Sequence, residues 1–148
     1  YGPRQSARAI IPSICVQIIN GIEKIKLGNV DTSRDLTFVE DTIRGFLEIS
    51  NQEKFNGEVV NIGMNEETKI RNLVEKISKI MNQKIEIKID KKRVRPEKSE
   101  VSKLVCDNSK LINNTSWRPK YDLDKGLRET IDWLTKNIQY FKTDLYNR

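Results

Sequence analysis

The sequence predicts an α/β domain, and three observations lead there. Apolar residues recur at helical spacing in several long blocks, Ile85 to Ile89 alternates with period two, and segments of the two kinds interleave along the chain. A length of 148 residues suits one compact domain, or part of a larger one.

Ile10, Ile11, Ile14, Ile18 and Ile19 predict a helix over residues 7–20, with Pro12 in its first turn and Gly21 ending it. Residues 25–27 read as a short strand before Gly28-Asn29, and residues 36–38 as another after a polar loop over 30–33. A helix over 39–50 carries Val39, Ile43, Phe46, Leu47 and Ile49, with Glu40 and Asp41 in the first turn, where the helix dipole favours anions. Residues 58–62 read as a strand that Gly63 breaks. Thr68 is placed to cap a helix over 69–82, whose apolar face is Ile70, Leu73, Val74, Ile77, Ile80 and Met81. Residues 85–89 form a half-buried strand, 90–99 a very polar segment and 101–105 a further strand candidate. A short helix over 108–113, the loop Trp117-Arg118-Pro119 and a last helix capped by Asp122 and reaching about residue 137 complete the chain. No repeat or low-complexity stretch interrupts this order.

Composition excludes several classes. Hydrophobic residues make up 36% and charged residues 32%, and no run approaches the ~18–20 apolar residues of a membrane span. Tyr1-Gly2-Pro3-Arg4-Gln5 has no apolar leader and reads as a turn inside a protein, so the amino terminus is expected to be a cut end. Cys15 and Cys106, far apart in apolar stretches, read as buried thiols of a cytoplasmic protein. The absence of histidine removes His-dependent triads and most zinc sites, so no metal is expected. The net charge of +6 fits nucleic acid, an acidic surface or a small anionic ligand, and composition does not choose among them.

The motifs are modest. The seven glycines are isolated, so neither G-x-G-x-x-G nor a P-loop is present. Tyr121 and Lys125 have a Tyr-x-x-x-Lys spacing, but Asp122 and Asp124 lie between them and the segment opens a surface helix. Arg34-Asp35 is either a surface ion pair or a carboxylate-oriented guanidinium aimed at a phosphate. Arg93 and Arg95 would point the same way from an extended chain, and Pro96 favours an extended Arg95; the bland reading is a solvated charge run. Asn61, near the end of an apolar strand, is either a turn cap or a ligand contact at the strand's carboxyl end.

Tyr1-Gly2-Pro3, Ile11-Pro12, Leu27-Gly28-Asn29, Arg34-Asp35-Leu36-Thr37-Phe38-Val39-Glu40-Asp41, Asn61-Ile62-Gly63, Arg95-Pro96 and Trp117-Arg118-Pro119, in that order and spacing, resemble the carboxy-terminal half of the extended short-chain dehydrogenase/reductase family. Its members include NAD-dependent nucleotide-sugar 4,6-dehydratases and 4-epimerases. Residues 1–8, 95–100 and the ending Asp144-Leu145-Tyr146-Asn147 look most like the UDP- or GDP-N-acetylglucosamine 4,6-dehydratases of the legionaminic-acid type.

The resemblance implies that residues 1–148 are the substrate-binding portion of such an enzyme, with a few strands and helices that would normally complete a Rossmann domain. Arg34 and Arg95 would bind the diphosphate of a UDP-, GDP- or dTDP-sugar, and Asn61 a phosphate or the nucleotide. Ile25 and Leu27 would line the base pocket, with Ile11 and Pro12 shaping its wall. Arg8 falls where relatives place a polar substrate contact, and Tyr1-Gly2-Pro3 near the nicotinamide end of the cleft. Two guanidinium forks match diphosphate oxygens in a way ammonium groups do not. The NAD loop and the catalytic Tyr and Lys would lie ahead of residue 1, in an amino-terminal half that this chain needs as a partner. The chain alone is therefore expected to be inactive and not to bind NAD, with no catalytic residue of its own, and its parent is expected to be a homodimer. Residues 29–63 would pack on the cofactor half and here expose an apolar face. The rival readings are a small basic nucleic-acid-binding domain, which the scattered Lys and Arg residues do not favour, and an interaction module sharing only the fold.

Overall fold

The computed structural model describes residues 1–94 and 96–141. Its elements run α1 (Ile10–Ile19), β1 (Lys24–Leu27), β2 (Ser33–Arg34), α2 (Val39–Ser50), β3 (Thr68–Lys69), α3 (Ile70–Ile80), β4 (Glu86–Ile89), β5 (Lys103–Leu104), α4 (Ser109–Asn114) and α5 (Leu123–Lys136), with short 3₁₀ turns between some of them. The mixed α/β order read from the sequence is the order observed.

The core centres on α1. Ile11, Ile14, Cys15, Val16 and Ile18 are all buried on it, so this helix is enclosed on most sides. It stops at Asn20, and Gly21 takes the positive φ that turns the chain out. β1 then alternates outward Lys with inward Ile25 and Leu27, and pairs in parallel with β4. Among the described residues, no strand lies beside the other edge of β1. The Gln17 side chain takes a strand's place there: its Oε1 accepts from Lys26 N at 2.7 Å and its Nε2 donates to Lys26 O at 3.2 Å. The backbone N–H and C=O of Lys26 on this edge are thus both met by one amide side chain.

A second sheet places β2 between β3, antiparallel, and β5, parallel. α3 follows β3 directly and buries Ile70, Leu73, Val74 and Ile77, the i, i+3, i+4, i+7 face expected from the sequence. Thr68 does not cap this helix. It lies in β3, and the cap position falls to Lys69, which makes no side-chain cap bond. Asp122 does cap α5, accepting from Lys125 N at 2.8 Å. Leu127 and Leu134 then close the core against α1 and α3.

Two expected strands are not strands. Residues 36–38 are extended but are held by loop contacts: Tyr1 N donates to Thr37 O at 2.7 Å and Val39 N donates to Tyr1 O at 2.8 Å. The strand lies earlier, at Ser33–Arg34, where the backbones of β3 and β5 run alongside. Residues 58–62 have no ladder partner among the described residues, and Val59 is 81% exposed. Lys110 tethers this stretch, donating to Glu58 Oε2 at 2.8 Å and Val59 O at 3.0 Å.

α2 is turned inside out. Its inward residues are Asp41 and Gly45, whereas Ile43, Phe46 and Leu47 are 51%, 64% and 58% exposed. This matches the expectation that part of residues 29–63 exposes an apolar face. Asp41 anchors the inward side: it is fully buried and ion-paired to Arg44, and its carboxylate accepts from Lys120 N and Tyr121 N, both at 3.0 Å. Trp117 lies under the same turn, 2% exposed, with its indole Nε1 donating to Asp41 O at 3.0 Å.

Candidate functional site

A groove of about 300 Å³ opens where the start of α1, the end of β1, the loop leading into β2 and the segment after β4 meet. Its walls include Arg8, Ser13, Leu27, Asn29, Thr32, Arg34, Arg93 and Glu100. Its lining brings together arginines from three separate stretches and the carboxylate of Glu100; Arg93 is also ion-paired with Asp90 at 3.6 Å.

Arg34 is the fixed point. β2 carries it into the groove between its two neighbouring strands. Its Nη1 donates to Ser33 O at 2.7 Å and Val101 O at 2.8 Å, and its Nη2 faces Glu100 Oε1 at 3.4 Å. Asp35, next in sequence, does not pair with Arg34. Its Oδ1 accepts from Met64 N at 3.0 Å, and its Oδ2 accepts from Asn65 N at 2.9 Å and Cys106 N at 3.1 Å. The Arg-Asp dipeptide therefore divides its work: the aspartate ties the 63–65 turn and residue 106 to β2, and the arginine faces the groove.

The other expected site residues fall into three groups. Arg8 and Leu27 line the groove beside Arg34. Ile11 and Ile25 are 1% and 0% exposed within the core, and Pro12 is buried on the first turn of α1, so these three lie behind the groove surface. Asn61 is exposed and away from the groove lining, with its Nδ2 donating to Asp107 O at 3.3 Å. Arg95 and the 144–147 ending lie outside the described residues.

Arg93 departs from the extended reading. Asp90 Oδ1 accepts from Lys92 N at 3.0 Å, and residues Lys91–Arg93 curl into a 3₁₀ turn. Arg93 Nη1 then donates to Ser13 Oγ at 3.2 Å and Lys26 O at 2.9 Å, fastening the turn to α1 and β1. The turn passes so close to Gly28 that a Cβ there would sit 2.4 Å from Arg93 O. Gly28→Ala should accordingly lower stability by about 1–3 kcal/mol, read as a lower urea midpoint; an unchanged midpoint would show that the turn yields freely.

Sequence reading missed Glu100, Ser13, Asn29 and Thr32 as groove residues. None carried a signal of its own: Glu100 is one acid in a mixed polar run, and the other three are common helix and loop residues.

Two remaining chemical candidates are quiet. Tyr121 Oη donates to Glu40 Oε2 at 2.6 Å, and Lys125 lies over the Tyr121 ring at 4.0 Å. The bond to Glu40 holds the phenol proton and pushes its pKa up to about 12, opposite to the lowering that an acid/base tyrosine needs. Burial pushes the Cys15 thiol up to about 12. Cys106 is only partly buried, not enclosed as expected, and burial with the nearby Asp35 and Asp107 charges raises it too.

Residues 1–130 match the family described as GDP-mannose 4,6 dehydratase. The chain belongs to that family. It is thereby placed with the NAD-dependent epimerases and dehydratases of the extended short-chain dehydrogenase/reductase group, as its motifs indicated.

Family relatives cover both chemistries. A GDP-6-deoxy-D-mannose reductase of Pseudomonas aeruginosa is 29% identical over 138 residues, which are 89% of this chain and 44% of that one. A dTDP-glucose 4,6-dehydratase of Bacillus anthracis, solved in complex with NAD, superposes with a TM-score of 0.82 at 26% identity, over 95% of this chain and 43% of that one. A UDP-glucuronic acid 4-epimerase of Bacillus cereus, solved with UDP-glucuronic acid and NAD, gives 0.79 at 25% identity, over 93% and 43%. The chain thus spans less than half the length of these family members. No described helix is long and apolar enough to cross a membrane. Among the described residues, no group of His, Cys, Asp or Glu is arranged to hold a metal ion.

Among the described residues, no glycine-rich turn is present at the start of a helix. Gly21 and Gly57 sit at open turns, and the other glycines are packed against protein atoms, so none forms a phosphate cradle ahead of a helix.

Proposed function

We propose that this chain is the nucleotide-sugar-binding portion of an NAD-dependent nucleotide-sugar 4,6-dehydratase, of the legionaminic-acid type. The observation that carries the reading is the groove, where two backbone carbonyls hold Arg34 and the lining also includes Arg8, Ile10, Leu27 and Ile70. A sugar nucleotide presents a diphosphate to guanidinium groups and a flat base to an apolar wall, and this arrangement offers both. Ile11, Pro12 and Ile25 back that wall, and Arg95 supplies a second fork from the segment after β4; Asn61, outside the groove lining, would reach the nucleotide or phosphate only from beyond it. The same portion of a 4-epimerase is the second reading, favoured by the likeness to a UDP-glucuronic acid 4-epimerase.

The chain's own contribution is binding and orientation. Hydride chemistry belongs to NAD, held by a preceding half of the parent protein, and the exposed apolar face of α2 together with residues 58–62 is where that half would seat. A nucleic-acid role is disfavoured by the dispersal of the basic residues. Lys24, Arg71, Lys76, Lys103 and Lys110 pair with Glu86, Asp31, Asp124, Glu67 and Glu58 at scattered points, leaving no continuous cationic stripe among them.

Titration with UDP-, GDP- and dTDP-sugars tests the reading. Arg34→Ala and Arg95→Ala should each weaken the preferred ligand roughly 10- to 150-fold, the equivalent of losing one charge-assisted hydrogen bond of about 1.5–3 kcal/mol. Arg34→Lys and Arg95→Lys should recover only part, because an ammonium cannot form the fork. Equal affinity for sugar nucleotides in parent and alanine variants would overturn the assignment.

A further inference from the structure

We propose that the outer edge of β4 docks a second copy of this chain, the two strands pairing antiparallel about Ile87. β4 has β1 on one side, and among the described residues no strand lies on its other side. The ladder to β1 takes Glu86 N onto Glu23 O at 2.7 Å and Asp90 N onto Leu27 O at 2.8 Å. Successive peptide groups of a strand point to opposite edges, so the N–H and C=O of Ile87 and Ile89 are turned away from β1. Ile89 is 50% exposed, and Glu86 and Lys88 on the opposite face are exposed too. Such an edge is a ready template for another strand.

The sequence of this edge is its own complement. Residues 84–90 read Lys-Ile-Glu-Ile-Lys-Ile-Asp. Antiparallel pairing centred on Ile87 sets Ile87 against Ile87, Ile85 against Ile89, and Glu86 against Lys88 of the second copy. The isoleucines then occupy the hydrogen-bonded positions, and theirs are the backbone groups turned outward. Each Glu86–Lys88 pair falls between them, at the non-hydrogen-bonded positions where side chains come closest. Moving the centre by one residue sets Lys88 against Lys88 or Glu86 against Glu86, and calls on backbone groups already bonded to β1. Backbone geometry and charge therefore select the same register. Lys84 meets Asp90 at the two ends, but Asp90 already accepts from Lys92 N and pairs with Arg93, so the ends add less. Glu86 also lies 3.0 Å from Lys24, in an exposed ion pair that contributes little. Ile85 and Ile87 pack against the core on the other face. Pairing would continue that apolar layer through Ile89 and join two two-stranded sheets into one of four strands.

Sedimentation velocity on the 148-residue chain tests the proposal. The contact is small, so a monomer–dimer equilibrium is expected between ~10 μM and ~1 mM protein. Lys88→Glu sets like charges against each other twice and should weaken self-association roughly 5- to 100-fold. Glu86→Lys should do the same. An equimolar mixture of the two variants should associate as tightly as the parent, because each supplies the charge that the other lacks. Both positions are exposed, and melting curves verify that the variants fold. A parent chain that stays monomeric at ~1 mM, a concentration that still reveals contacts of about −4 kcal/mol, overturns the proposal. So does a mixture that associates no better than its separate components. A dimer that neither charge variant weakens also overturns it, and places the contact elsewhere, such as on the exposed face of α2.

Discussion

Asp41→Ala should destabilise this fold by about 3–5 kcal/mol, the range for breaking a buried charge pair from one side. The carboxylate is fully buried, and one oxygen each serves Lys120 N and Tyr121 N while Arg44 supplies the countercharge. Arg44 in turn donates to Arg118 O at 2.9 Å, so the one acid organises the whole approach to α5. Alanine leaves those donors facing one another without an acceptor. Asp41→Asn should recover little, since its NH₂ would point a donor at a donor. Urea unfolding of the three proteins measures this. An alanine variant within about 0.5 kcal/mol of the parent, the spread of ordinary surface changes, would show that the buried acid is not what holds α2 in its inverted orientation.

Trp117→Ala should cost about as much, roughly 3–5 kcal/mol, through the cavity left by the indole. Trp117 is 2% exposed and its Nε1 donates to Asp41 O at 3.0 Å, so it is a packing anchor that also satisfies a helix carbonyl. Trp117→Phe should lie between, retaining most of the apolar contact and losing the hydrogen bond, worth about 1 kcal/mol. Because the two residues share a contact, the Asp41/Trp117 double alanine variant should lose less than the sum of the single losses. A Trp117→Ala protein that melts like the parent, with only ligand affinity impaired, would place the indole in the binding site instead.

Legibility in the sequence followed locality. α3 and the cap of α5 were readable because their determinants lie within a few residues: the Ile70, Leu73, Val74, Ile77 face and the Asp122 bond to Lys125 N. The orientation of α2 was only partly readable. Nothing near residue 41 announces that amides some 80 positions later will bury its carboxylate. Residues 58–62 have a strand's composition, yet a strand exists only where a neighbour completes the ladder. In the groove, Arg34 and Leu27 were visible through their flanking motifs. Glu100 was lost in a polar run whose members are equivalent until the chain is folded. Arg93 was misread for a physical reason: a side-chain bond from Asp90 curls the backbone that its pairing with Arg95 required to be straight.

The contact of Tyr1 with α5 bears on how the molecule is made. Tyr1 Oη donates to Leu123 O at 3.4 Å across 122 positions, and β1 and β4 pair across some 60. Such closures cost chain entropy before they return any contact energy, which slows folding relative to locally wired bundles. During synthesis, α1, an almost wholly apolar helix, is made before α3, β4 and α5 and must wait for them before it is enclosed. Throughout that interval the nascent chain displays its stickiest segment, the stage at which newly made proteins most need chaperones. Completion of α5, rather than formation of α1, is therefore the step that closes this core.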